Sequence, residues 1–468
     1  MTRRDKNAAR LLVVSLALTV SPAATAFADK ETPPAPAPAK GFQIPAPRSF
    51  TLPNGLQVSF VSYGTMPKVS IELAIRAGNA QEAADQVWMA DLTGDLMREG
   101  TKTRTAVQIA EAAARMGGSL DVAVGADTTR LGGDVLSEFG PELVELVADV
   151  AMNPSWPAAE LPRLKADRAR QLSVAKSQPQ PVAQEKFRAV MYGDHPYGRS
   201  FPDPDRLQAY TLDQVRAFYA ANFGAGRAHL YVAGRFDDAP LEAAVRRAFA
   251  AWQPGPALTE KPPTPRAERS LSVIDRPGAV QSTVIVGMSV ADPSKPDYVP
   301  LSVTQMLLGG YFSSRITANI REQKGYTYSP FSQISSRHQD AYWAEQADVT
   351  TAVTGASLKE ILGEIDRLRS EPPSASELKA VQSYMAGTFV LRNSTRAGIL
   401  AQLEFVDLHG LPPAYLNEYV ARVSAVTPAD VQRMARTYIQ DDKATIVVVG
   451  DKKVIEEQLA PYTSASGR

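Results

Sequence analysis

Two aspartates four residues apart, Asp91 and Asp95, stand in the stretch WMADLTGDLMREGTKTRTA that runs from residue 88 to 106. Met89, Leu92, Leu96 and Met97 recur there at helical spacing and make an apolar stripe, and a separation of four puts both carboxylates on one helix face. Two ligands, or a ligand and a base, on such a face would suit metal-assisted hydrolysis. The rest of the chain offers that chemistry little help. Cysteine is absent and only four histidines occur, which excludes thiolate zinc sites, disulfides and a cysteine nucleophile. No H-x-x-x-H pair is present: His195 lies in GDHPYGR, His229 and His338 in strand-like runs, and His409 before a Gly-Leu-Pro-Pro turn, all positions that read as structural. Ser313 and Ser314, close to Gly309 and Gly310, lack the G-x-S-x-G elbow of a serine nucleophile. Asn393-Ser394-Thr395 matches a glycosylation sequon, a match that chance supplies in a chain this long.

The elements that must position these residues read as mixed. A hairpin is expected from the strand near Phe50, the Asn54-Gly55 turn and LQVSFVS, followed by a third strand in KVSIELAIRAG. Amphipathic helices follow at 105–116 and 141–152, with strand-like LGGDVL between them. Without strict alternation of strand and helix, the pattern predicts an α+β fold of mainly antiparallel sheets with helices packed on one face. The chain also repeats: TLDQVRAFYAANFGAGRAHLYVAG (211–234) aligns without a gap, at an offset of 216, with TPADVQRMARTYIQDDKATIVVVG (427–450). PAAELPRLKADR near Glu160 echoes PSASELKAVQSY near Glu377 at an offset of 217, so two homologous domains are expected, at 49–252 and 271–466. The proline-rich, charged stretch 253–270 is the linker between them.

At 44% hydrophobic and 21% charged, 468 residues suit a globular chain of more than one domain. Fifty basic and fifty acidic side chains cancel, leaving no electrostatic case for nucleic acid or an anionic membrane as partner. Arg3, Arg4, Lys6 and Arg10 precede the apolar run LLVVSLALTV, and Ala26-Phe27-Ala28 offers a small-x-small cleavage site. Residues 1–28 therefore read as a signal peptide and the mature chain as exported, to the periplasm or beyond, with no stable membrane span after cleavage. Residues 29–48 are rich in proline and alanine, a tether too poor in apolar side chains to pack.

TLPNGLQV, DLMREGT, NPSWPAAEL, HPYGRSFPDPDRLQAYTLDQVRAFY and MLLGGYFSSRITANIREQKGYTYSPFSQ together resemble the insulinase/pitrilysin family of zinc peptidases and their mitochondrial processing-peptidase relatives, over residues 51–450. The resemblance implies a duplicated α+β unit. It also implies a zinc motif H-x-x-E-H, which in this chain reads D-L-T-G-D: Asp91 and Asp95 fall at the histidine positions and Gly94 at the general base. The family's third ligand, a downstream glutamate, is expected at Arg170. With all four positions changed, no metal is expected here; Arg170 is expected to fill the emptied pocket and pair with Asp91 or Asp95. The family's R-x-x-x-x-x-x-Y motif survives as Arg321 and Tyr328, with Tyr326 as a nearby decoy. The resemblance thus implies a subunit inactive alone, which adds Arg321 and Tyr328 to the site of an H-x-x-E-H-bearing, zinc-holding sister chain acting on an extended peptide. A non-catalytic peptide-binding or structural scaffold of the same fold is the alternative.

Overall fold

The computed structural model describes residues 43–463; the signal segment and residues 29–42 of the tether lie outside the described residues. The N-terminal half builds a six-stranded sheet from β1 (Arg48–Thr51), β2 (Gln57–Ser62), β3 (Lys68–Ile75), β4 (Leu120–Val124), β5 (Thr129–Leu136) and β6 (Ala228–Gly234), in the order β1-β2-β6-β3-β5-β4. The C-terminal half builds a five-stranded sheet from β7 (Ser270–Asp275), β8 (Gln281–Val290), β9 (Phe331–Arg337), β10 (Asp340–Thr350) and β11 (Thr445–Gly450), in the order β7-β11-β8-β10-β9.

Apart from β1 the two orders are the same. In each sheet the late strand, β6 or β11, lies parallel to the first and antiparallel to the next, and the remaining pairs are antiparallel. The sequence repeat is therefore a structural one. Its local cause is visible at the helices that feed those strands: Thr211 caps Leu212–Asn222 and Thr427 caps Pro428–Tyr438, each in a reciprocal capping box, with Gln214 and Asp430 answering.

In the N-terminal half, helices α1 (Met89–Arg98), α2 (Ala106–Arg115), α3 (Gly140–Met152) and α4 (Leu161–Ser177) add to the core that the strands bury. The opposite faces are closed by exchange. Helix α5 (Pro179–Tyr192) crosses to pack Phe187 and Met191 with Ile285, Tyr342 and Val447 of the C-terminal sheet. The helix Arg396–Leu408, its counterpart in the repeat, packs against β3 and β6 of the N-terminal sheet. Each half is thus completed by a helix of the other, beyond the helices expected on one face.

The tether corrects one expectation. Ile44 is buried in the C-terminal half's core, and its backbone N–H donates to Asn417 Oδ1 at 2.8 Å, so a single isoleucine anchors what its composition marks as unable to pack. The stretch 253–270 is also fastened: Glu260 pairs with Arg76 and accepts from His338 Nε2 at 3.0 Å, while His195 Nε2 meets the Lys261 carbonyl at 2.9 Å.

Candidate functional site

Helix α1 buries Met89, Leu92, Leu96 and Met97, each worth about 1.5–3 kcal/mol of apolar burial, so packing rather than helix propensity holds it. Its start is set by Trp88 in the left-handed region (φ 70°), whose indole N–H donates to the Ser200 carbonyl at 3.0 Å. Asp91 and Asp95 then point together at α4. There the structure corrects the sequence reading: the arginine between them is Arg168, and Arg170 is 71% exposed and paired with Asp167.

The physical reason is the helix period. Leu161, Leu164 and Leu172 are the buried residues of α4, and Arg168 falls on their stripe, whereas Arg170, two residues on, is rotated about 200° away. The irregular backbone before α4 carries no fixed period, so spacing alone does not fix which of the two arginines faces α1.

Arg168 Nε donates to Asp95 Oδ2 at 2.7 Å and Nη1 to Asp91 Oδ1 at 3.1 Å, while Asn79 Nδ2 donates to Asp91 Oδ2 at 2.7 Å and Arg98 Nη2 to Asp95 Oδ1 at 3.3 Å. All four carboxylate oxygens have a donor. Burial pushes the Asp91 carboxyl up from its ordinary value against the pull of Arg168. Below it Glu82 accepts from Asn79 Nδ2 and the Ala90 N–H, and burial pushes its pKa up to about 8, so it is a neutral acid at pH 7.

Zinc does not fit here. Its would-be ligand atoms are occupied by a guanidinium and an amide, and among the described residues no group of three or more histidine, aspartate or glutamate side chains could hold a metal. Gly94, at the base position, cannot regain a side chain freely: a Cβ there would lie 2.8 Å from Val124 Cγ2 and 3.3 Å from Val122 Cγ1 of β4.

The C-terminal motif is differently built. After the helix Tyr298–Gln305 the chain widens into a π-helical turn, Met306–Gly310, and a second π-helical segment, Ala318–Gln323, carries Arg321. Gly309 is required by close approach, since a Cβ would lie 2.5 Å from Glu345 Oε2 and 2.6 Å from Ser332 Oγ. The guanidinium carbon of Arg321 lies 4.5 Å from the Phe312 ring centroid and 4.9 Å from that of Tyr328. Two rings therefore hold it, and its Nε meets Glu322 at 3.1 Å. Tyr328 is 78% exposed, Phe312 63% and Phe331 45%. Tyr326 is half-buried and its backbone is tied to Ile320 and Thr350, so it does not share the exposure of Tyr328. Phe312 is the member of this cluster that spacing did not reveal.

The weaker sequence candidates are structural. His229 Nε2 lies 2.9 Å from Ser59 Oγ and its Nδ1 2.8 Å from Asp407, an order that imitates a catalytic triad; Ser59, however, is buried in the sheet and bonded also to Ser49. His409 is buried, which pushes its pKa down to about 4. Asn393 has no exposed surface and is closed to glycosylation.

Residues 58–205 match the family model described as insulinase, peptidase family M16, and residues 209–385 the model described as the peptidase M16 inactive domain. The chain belongs to the insulinase family. Among its relatives an uncharacterized zinc protease of Mycobacterium bovis is 26% identical over 77% of this chain and 81% of its own length, and the uncharacterized zinc protease YmxG of Bacillus subtilis is 22% identical over 86% and 98%. A Pseudomonas fluorescens structure described as a peptidase M16 inactive domain superposes with a TM-score of 0.81 at 24% identity, over 86% of this chain and 98% of that one. A Helicobacter pylori protease does so with a TM-score of 0.81 at 19% identity, over 87% and 100%. These likenesses bear out the two-part α+β fold and the zinc-protease-like ancestry. The D-L-T-G-D window of helix α1 lies within the residues matched by the insulinase model.

Proposed function

We propose that this chain is an exported, non-catalytic subunit of an insulinase-family peptidase, which lends Arg321 and Tyr328 to a site completed by a zinc-bearing H-x-x-E-H sister chain. The observation that carries the reading is the contrast in how arginines are held: Arg168 is consumed by two carboxylates, whereas Arg321 stands against the rings of Phe312 and Tyr328 and, among the described residues, meets one acid, Glu322, through its Nε. A guanidinium that gives one nitrogen to an acid keeps its Nη donors for a substrate carbonyl, and an exposed phenol donates to charge developing on oxygen. Zinc would belong to the sister chain and supply the attacking water there; the residues of this chain orient the peptide and stabilise the oxyanion. Strand addition is supported by β9, an edge of its sheet that begins at Phe331, just beyond Tyr328. Export rests on the basic start, apolar run and cleavage site of residues 1–28, with cleavage leaving the chain in the periplasm or outside the cell. Among the described residues no helix is long and apolar enough to cross a membrane.

Reconstitution tests it. Mixed with an exported H-x-x-E-H chain encoded beside it, this chain should confer peptidase activity that neither has alone, and Arg321→Ala or Tyr328→Phe should lower kcat about a hundredfold with the complex intact. An inactive complex, or two silent substitutions, would leave the scaffold reading in its place.

A further inference from the structure

The duplication supplies a second seam to compare with the first. In chain order the helix Tyr298–Gln305, with its extension to Gly310, is the counterpart of α1, and the helix Ala375–Arg392 is the counterpart of α4. The register of the repeat sets Arg168 against Met385, and the buried Leu161 and Leu164 against Leu378 and Val381, which are buried too. Where Arg168 bolts the first seam shut, the second is open: a cavity of about 300 Å³ lies between these two helices, capped from the side by Phe405, Tyr415 and Tyr419.

Its walls are mixed: Tyr298, Phe389, Phe405, Tyr415 and Tyr419 stand among Ser302, Thr388, Asn393 and Gln402, and Phe389 is stacked on Tyr419 at 4.5 Å. Arg392 is the one charged side chain that lines it, and among the described residues no carboxylate pairs with that guanidinium. A cation would meet repulsion and no acid, so an aromatic cage for ammonium groups is excluded. An anion would find Arg392 at the wall, and a flat ring would find faces to stack on. Burial keeps the phenol of Tyr419 neutral, with its pKa pushed up to about 12, so it can donate and does not repel an anion. The apolar surface also continues outward over the same helix, through Tyr384 (46% exposed) and Leu391 (71% exposed), which gives footing for a chain that runs on from the cavity.

We infer that this cavity binds the C-terminal aromatic residue of a peptide, its ring stacked among the tyrosines and its carboxylate forked by Arg392. The inference does not depend on Arg321 or on a zinc-bearing partner, because it concerns binding by this chain alone.

The probe is a pentapeptide, four alanines ending in phenylalanine, labelled with fluorescein at its N-terminus and titrated with the purified mature chain by fluorescence anisotropy. The free acid should bind, with C-terminal amidation, alanine in place of phenylalanine, or Arg392→Gln each weakening affinity at least tenfold. Thr388→Trp, which fills the cavity from its wall, should do the same, and circular dichroism would confirm that both variants fold. Equal affinity for acid and amide, indifference to Arg392→Gln, or no binding at millimolar concentration overturns the assignment. If N-acetyl-phenylalanine competes as strongly as the unlabelled pentapeptide, a free aryl carboxylate displaces a peptide end as the occupant, and the peptide assignment fails.

Discussion

One fold, repeated, handles charge in two opposite ways. At the N-terminal seam Arg168 turns inward, and its fork satisfies Asp91 and Asp95; at the C-terminal seam Met385 stands in the equivalent place and the seam opens into a cavity with aromatic walls. The C-terminal arginines Arg321 and Arg392 instead stand beside aromatic rings. A buried charge can be kept if its hydrogen bonds are complete, and an exposed one becomes useful if its faces are held and its edges are not. The first half holds its arginine as an internal bolt. The second leaves its arginines beside aromatic rings at the surface.

Breaking the bolt should have the largest effect. Arg168→Met leaves two partly buried carboxylates facing each other and should cost about 3–5 kcal/mol in urea unfolding at pH 7, whereas a cost below about 1 kcal/mol would mean that the seam is held by apolar contacts alone. Glu82→Gln should come next, and its effect depends on pH. The folded pKa of Glu82, about 8, lies above its ordinary 4.5, so its contribution to stability is whole below pH 4.5 and is lost as pH rises through 8. The glutamine variant should therefore flatten that fall and unfold later than the parent at pH 8, by about 2–4 kcal/mol.

Gly94→Glu tests whether the lost base could be restored. It should destabilise by about 1–3 kcal/mol through the collision with Val124, and adding Val124→Ala should recover most of the loss. Asp91→His, Gly94→Glu and Asp95→His together should not create zinc binding while Arg168 occupies the space between positions 91 and 95. Elemental analysis showing one zinc per chain in that triple variant would contradict this. In the reconstituted complex Phe312→Ala should lower kcat about tenfold by unclasping Arg321, with Phe312→Trp restoring it; an unchanged kcat would assign Phe312 to the surface alone. Smallest of all, Arg170→Ala and Arg392→Gln should each change stability by less than about 0.5 kcal/mol, since neither guanidinium is buried in a network.

Much of this was legible in the chain. The offset of 216 announced a duplicated sheet, and the capped helices that carry the offset appear with their threonine caps in place. Capping, alternation and repetition are local, so sequence spacing is enough to read them. Arg168 was legible in principle, as an arginine on the leucine stripe of α4, but a count through irregular backbone favoured its neighbour. The burial of Ile44 and the exchange of α5 and the helix Arg396–Leu408 between the halves had no local signature.

The order of amino acids was enough to establish the family and the repeat and to single out D-L-T-G-D, Arg321 and Tyr328, because each is a matter of residue type at a given spacing. Which arginine meets Asp91 and Asp95, that Phe312 and Tyr328 clasp Arg321, and that one seam closes while its twin stays open were settled by tertiary structure. Those outcomes turn on how separate helices are rotated against one another, and a difference of two residues along a helix carries a guanidinium from the core to the solvent.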